Sequence, residues 1–163
     1  MPMSGNGGEA SGGLAEPGNG GGGTAGGSPG GTAGMGGPCV ATGDNRSPTM
    51  NAGLDCTGCH GFKVAGTLYP ALHTASFCDG VDNSAGATIE LTDANGARLT
   101  LTPNRVGNFF DSDSNTSLVM PYTAVVRTAR GTRAMQTKQM VGNCNGCHTE
   151  SGSNGAPGRI MVP

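Results

Sequence analysis

The 163-residue chain has no tryptophan, only two tyrosines and four phenylalanines, and just 12% of its residues are charged. So few large apolar groups predict a small core, one that is marginal by buried area alone. Nine basic residues against eleven acidic ones leave a formal net charge of −2. That balance argues against the basic face needed to bind phosphate, so nucleic acid is not an expected partner. There is no apolar run of about 20 residues, so no membrane span is expected. Met1-Pro2-Met3-Ser4-Gly5 has neither the basic nor the apolar region of a signal peptide. Histidine is scarce too, with only His60, His73 and His148.

Cysteine, by contrast, occurs six times. Four of the six fall in two pentapeptides, Cys56-Thr57-Gly58-Cys59-His60 and Cys144-Asn145-Gly146-Cys147-His148. Cys-x-x-Cys-His is the attachment signal of a c-type haem. Two thiols at this spacing form thioethers with the two vinyl groups of one porphyrin, and the adjacent histidine ligates the iron. The competing readings are zinc knuckles and thiol redox centres. Zinc wants four ligands, and Cys2His leaves each motif one short. Two haem c groups are therefore the expected cofactors, with His60 and His148 as proximal ligands. Their apolar volume would supplement the small core.

Haem c is attached outside the bacterial cytoplasmic membrane, so the chain is expected to be exported and to be a mature form. The predicted location is extracellular or cell-surface, with the periplasm as second choice. So cysteine-rich a chain suits an oxidising compartment. Cys39 and Cys78 are left after the haem cysteines, and a disulfide between them is the expected use. Closing a loop of that length contributes roughly 4 kcal/mol on the chain-entropy account. Two unpaired thiols are the alternative.

Composition changes near Pro38. Seventeen of the first 38 residues are glycine, with two acids and no base. Residues 1–38 read as an extended arm that cannot bury enough surface to fold alone. A segment of this kind can also present its backbone to a neighbouring subunit. Residues 39–163 read as the haem-bearing domain. Within it, Ala87, Ile89 and Leu91 alternate with Thr88, Glu90 and Thr92. Asp93-Ala94-Asn95-Gly96 is a turn, and alternation resumes over Ala97–Thr102. Val64–Tyr69, a strand opening at Asn108, and Tyr122, Ala124 and Val126 complete the pattern. The fold expected is mainly β: a small β-sandwich over about 64–128, framed by two irregular haem-binding segments. Helical periodicity is absent, and the tail from Gly152 to Pro163 reads as loop.

The stretch Gly86–Gly96, followed by Arg105-Val106-Gly107-Asn108-Phe109, resembles the carboxypeptidase-regulatory-like (transthyretin-like) β-sandwich modules. Such a module framed by Cys-x-x-Cys-His motifs is similar to small c-type cytochromes of bacterial extracellular electron transfer. Gly142–Thr149 and Gly155-Ala156-Pro157-Gly158-Arg159 fit that group. The resemblance covers residues 54–163. It implies electron transfer, with redox proteins or extracellular electron acceptors as partners. In some members it implies haem-stacked filaments (nanowires), here through the glycine-rich arm as a homopolymer.

Two six-coordinate haems need four axial ligands, and the chain offers three histidines. His73, in Tyr69-Pro70-Ala71-Leu72-His73-Thr74, is the expected distal ligand, and its loop reaches the first haem most readily. The fourth position falls to a methionine. Met50, Met120, Met135, Met140 and Met161 are candidates, of which Met135 is favoured; any one of them can equally be core filler. The expected function is electron transfer rather than catalysis. The alternative is a haem enzyme or ligand sensor, peroxidase-like, if one iron keeps an open position.

Overall fold

The alternating segments become strands. The computed structural model describes residues 48–112 and 117–163, all within one unit spanning Met35–Pro163. The glycine-rich arm and Cys39 lie outside the described residues. The strands are β1 (Ala65–Tyr69), β2 (Thr88–Thr92), β3 (Arg98–Leu101), β4 (Asn108–Phe110), β5 (Thr123–Thr128), β6 (Gly131–Ala134) and β7 (Ile160–Met161). One helical turn, α1, spans Cys144–Cys147. The strands form two sheets, ordered β4-β1-β7 and β3-β2-β5-β6.

The β2–β3 hairpin follows from its pattern. Ile89 and Leu91 are buried while their neighbours on β2 are half-buried, the signature of a sheet with one covered face. The reversal is held by Asp93, whose Oδ1 accepts the N–H groups of Asn95 and Ala97, both at 2.8 Å. Gly96 takes the left-handed conformation there, at φ 83°, as the turn chemistry requires. The register pairs Ile89 with Leu101 and Leu91 with Leu99. Val64, Ile89, Leu91, Leu101, Phe109 and Tyr122 then form one buried cluster. Phe109 belongs to one sheet and Ile89, Leu91 and Leu101 to the other, so the two sheets share a core. The mainly β fold expected from the pattern is the fold observed.

Three details differ from expectation. The second sheet continues past residue 128 into β6, whose Thr132, Arg133 and Ala134 are exposed. An exposed edge strand carries no apolar alternation to read. The tail, expected as loop, contributes β7, which pairs in parallel with Leu68 and Tyr69 of β1. A two-residue strand has no period, and the unpaired edge of β1 is what recruits it. The second haem-binding segment, expected to be irregular, contains α1.

β1 is the strand that organises the site. All five of its residues are buried, because β4 covers one edge and several pieces complete the other. On that second edge Ala65 N–H donates to the Gly142 carbonyl at 2.9 Å. Thr67 N–H donates to the Asn145 side-chain oxygen at 3.0 Å. Beyond them, β7 takes over. Gly142 has no alternative residue type here, since a Cβ would collide with the Lys63 carbonyl. The second Cys-x-x-Cys-His motif is thus docked on the edge of a central strand.

Candidate dihaem site

Both pentapeptides fold into the same turn. His60 N–H donates to the Cys56 carbonyl at 3.0 Å, and His148 N–H to the Cys144 carbonyl at 2.9 Å. A single turn of this bonding brings residues three and four apart onto one side. The residue before each motif caps it. Asp55 Oδ1 accepts Thr57 N–H at 2.8 Å and Gly58 N–H at 3.1 Å. Asn143 Oδ1 accepts Gly146 N–H at 3.0 Å. The Thr57 hydroxyl, helped by these N–H groups and opposed by partial desolvation, holds the Asp55 carboxyl below its ordinary range. An Asp or Asn directly preceding a short turn is a readable capping signal, and sequence reasoning passed over both.

Cys144, Cys147 and His148 lie on the wall of a cavity of about 410 Å³, within the roughly 300–1,000 Å³ typical of ligand pockets. Leu91, Phe109 and Ile160 line it as well, so both sheets face it. Met135, the favoured methionine, is on the same wall, as is Met161. Met140 is exposed.

The residues fit a haem better than they fit zinc or a thiol redox pair. His148 Nδ1 lies 2.8 Å from the Gly158 carbonyl. A carbonyl only accepts, so Nδ1 carries the proton and the Nε2 lone pair is left for a metal. Burial lifts the Cys144 thiol to about 12, with the Tyr122 hydroxyl bond opposing it in part. Such a thiol stays neutral at physiological pH. It is a poor thiolate, and disulfide exchange proceeds through the thiolate. A thioether sulfur is neutral and suits the same apolar wall. Tyr122, itself buried and pushed above its ordinary value by burial, anchors this corner by donating to the Val141 carbonyl at 2.9 Å. Among the described residues, no group of three or more His, Cys, Asp or Glu side chains is placed to hold a bare ion.

The first motif is more open. Cys59 and His60 are exposed and Cys56 is half-buried, its thiol raised by burial, by Asp55 and by Cys59. Stacking, instead of a carbonyl, supports the His60 ring. It lies on Phe62 at 4.8 Å and 16°, and Phe62 lies on Phe110 of β4 at 4.7 Å and 17°.

A buried polar network joins the two motifs. The fully buried Thr67 hydroxyl accepts Gly53 N–H at 2.8 Å and donates to Asn108 Oδ1 at 2.8 Å. Asn145 Nδ2, inside the second motif, donates to the Leu54 carbonyl at 2.8 Å and to Thr67 Oγ1 at 3.2 Å. Asn108 Nδ2 donates to the Met50 carbonyl at 2.9 Å. The segment leading into the first motif is therefore stitched to the second motif through β1 and β4. Thr67, Asn108 and Asn145 were not singled out from sequence, because nothing local marks them.

His73 is exposed, and its Nδ1 lies 2.7 Å from the carbonyl of Glu150, two residues past His148. The proton again sits on Nδ1 and Nε2 is free. Glu150 in turn lines a second cavity, of about 360 Å³, together with Leu54 and Asp55. His73 is thus held by the segment just after the second motif. Cys78 is disulfide-bonded, while Cys56, Cys59, Cys144 and Cys147 are free thiols. No helix among the described residues is long and apolar enough to cross a membrane. Compared with known proteins, the chain matches no family model, no curated protein and no solved structure.

Proposed function

We propose that this chain is an electron-transfer protein carrying two c-type haems, one on Cys56, Cys59 and His60 and one on Cys144, Cys147 and His148. The observation that carries the reading is the shared turn of the two motifs together with the His148 Nδ1 bond to Gly158. That bond leaves Nε2 as an iron ligand. The neutral Cys144 thiol sits on an apolar wall that suits a thioether sulfur, and among the described residues no group of three His, Cys, Asp or Glu side chains is placed for a bare ion. When bound, each haem supplies a one-electron iron couple, and the chain's own residues set its ligation, shelter and spacing. His148 and Met135 serve the sheltered haem, since both line its cavity. His73, held by the Glu150 carbonyl, would be the remaining histidine ligand, and His60 would hold the other haem. The polar network through Thr67 and Asn145 keeps the two centres at a fixed separation. The chain is exported, and Cys39 is the disulfide partner of Cys78.

The test is expression in a bacterial host with a cytochrome c maturation system, followed by intact mass and pyridine haemochrome spectra. Two covalent haems are expected, falling to one in Cys59→Ser and in Cys147→Ser. A protein of bare-chain mass, or one that copurifies with zinc, refutes the reading.

A further inference from the structure

Arg159 is only 3% exposed and makes no ion pair among the described residues. A buried cation must draw its support from elsewhere, and here two rings and two carbonyls supply it. The guanidinium carbon lies 4.7 Å from the centre of the Tyr69 ring and 4.9 Å from that of Phe77, a cation held between aromatic faces. The Tyr69 hydroxyl donates to the Phe77 carbonyl at 3.1 Å, which ties the two rings together. Arg159 Nε donates to the Thr74 carbonyl at 3.3 Å, and its backbone N–H to the Leu72 carbonyl at 2.7 Å. Those two carbonyls flank His73, whose Nδ1 bonds to the Glu150 carbonyl. In the chain Arg159 directly follows Gly158, whose carbonyl receives His148 Nδ1. Gly158 passes this close to the His73 loop because it has no Cβ, which would lie 2.5 Å from the Leu72 carbonyl oxygen. One buried side chain thus fastens the backbone on which both carbonyl-bonded histidines depend.

We infer that Arg159 is a positioning residue for His148 and His73 together. Clamped between Tyr69 and Phe77, it fixes the Leu72–Thr74 loop and the Gly158 carbonyl, and so holds both imidazoles with Nδ1 protonated and Nε2 presented. It acts on both rings through the backbone. The use of the two Nε2 atoms as iron ligands rests on the dihaem reading, whereas the brace itself does not. A ligating histidine needs a fixed acceptor for its other nitrogen, since that bond sets the tautomer and the ring orientation. For His148 the acceptor belongs to a tail that contains Gly152, Gly155 and Gly158, backbone with wide conformational freedom. Arg159 is the anchor of that tail. The residue type follows from the task, because a planar guanidinium stacks on both rings while Nε still reaches Thr74. A lysine keeps the charge and has no plane to stack.

The experiment compares the full chain, as purified from the maturing host, with Arg159→Met, Arg159→Lys and Phe77→Leu. Isotope-edited NMR under reducing conditions reads exchange of the ring N–H protons of His148 and His73, beside amide exchange in β2 and β3. In Arg159→Met both ring protons exchange faster by about tenfold or more, while the β2 and β3 amides keep their wild-type rates, the mark of a local opening. Arg159→Lys recovers part of the protection at both rings. Phe77→Leu removes one aromatic face and no hydrogen bond. It speeds both rings by less, and it carries the test if Arg159→Met does not fold; unchanged rates in Phe77→Leu then overturn the inference. Ring exchange that is unchanged in Arg159→Met, that changes at one histidine alone, or that rises only in step with the β2 and β3 amides overturns it too. Haem count by intact mass is taken on the same samples. A wild-type chain without haem sinks the dihaem reading, and the exchange rates still decide whether Arg159 is the brace.

Discussion

Asn145→Ala is the sharpest probe of how the two motifs are held together. The substitution removes three hydrogen bonds: Thr67 N–H to Oδ1 at 3.0 Å, Nδ2 to Leu54 at 2.8 Å and Nδ2 to Thr67 Oγ1 at 3.2 Å. Thr67 is fully buried and Asn145 only 4% exposed, so the orphaned Thr67 N–H has no water to turn to. An unsatisfied buried donor costs about 1–3 kcal/mol, and each of the other bonds contributes about 1 kcal/mol net. The expected loss is about 3–5 kcal/mol, a large part of the about 5–15 kcal/mol that a domain has in all. Asn145→Asp keeps the shape and the acceptor but cannot donate to Leu54, and it buries an unpaired charge; it loses at least as much as the alanine variant. Urea denaturation followed by circular dichroism gives these numbers. Combining Asn145→Ala with Thr67→Val should cost less than the sum of the two, because both act on one network. On the dihaem reading, the magnetic coupling between the two irons, read by EPR, broadens in Asn145→Ala. A loss under about 1 kcal/mol with additive double-mutant energies would refute the reasoning, since native hydrogen bonds in a buried network neither come that cheap nor act independently.

Met135→Ala should abolish the optical signature of thioether–iron ligation in the matured protein while Met161→Ala retains it; the reverse result reassigns the ligand to Met161. At Gly66 an added Cβ would lie 2.6 Å from the Phe109 ring and 2.8 Å from Cys144 Cβ, so Gly66→Ala is expected to cost about 1–3 kcal/mol by overpacking. It should lower haem occupancy at the second motif, read by peptide mass, more than at the first. Asp93 is buried, and desolvation works to raise its carboxyl, but the N–H groups of Ala97, Val119 and Asn95 outweigh it and hold the group below its ordinary value. Its contribution is therefore complete above the unfolded value of about 3.9 and is lost as pH falls below that; Asp93→Asn should flatten the acid limb of a stability-versus-pH curve, and an unchanged limb counts against the assignment. With Cys39 as its partner, Cys78→Ala should cost roughly 4 kcal/mol, measured as a fall in denaturation midpoint that Cys39→Ala reproduces and the double variant does not deepen.

What could be read from sequence, and what could not, divides by range along the chain. The two Cys-x-x-Cys-His turns are legible as a repeated motif because their marked residues are neighbours in the sequence. The β2–β3 hairpin is legible because one covered face imposes period two and Asp93 marks its turn. β1 was found from its β-forming residues, yet its lack of alternation already implied cover on both faces. β7 was missed because two residues make no period. The residues that assemble the site are harder to see still. Thr67 and Asn145 are 78 residues apart, and the variable positions of a Cys-x-x-Cys-His motif carry no signal of their own. Gly158 acts on His148 through a backbone carbonyl, which any residue type would offer. Arg159 looks like an ordinary surface charge in a glycine-rich tail until the fold places it between two rings.

The scarcity of aromatics and the cavity are one fact seen twice. Leu91, Phe109 and Ile160 belong to the core or pack against it, and they also line the space beside Cys144. In a chain with no tryptophan, side chains alone leave the interior between the sheets open. An empty apolar cavity of that size costs stability, as the loss seen when large core side chains are truncated demonstrates. On the dihaem reading a covalently held porphyrin would fill this space and pack against these side chains. On the dihaem reading the second haem is thus a structural member of the core, and the first, with Cys59 and His60 exposed, is the one a redox partner can approach. Stability should then depend on the second motif far more than on the first: Cys147→Ser should destabilise the protein, whereas Cys59→Ser should remove a haem and leave the fold nearly as stable.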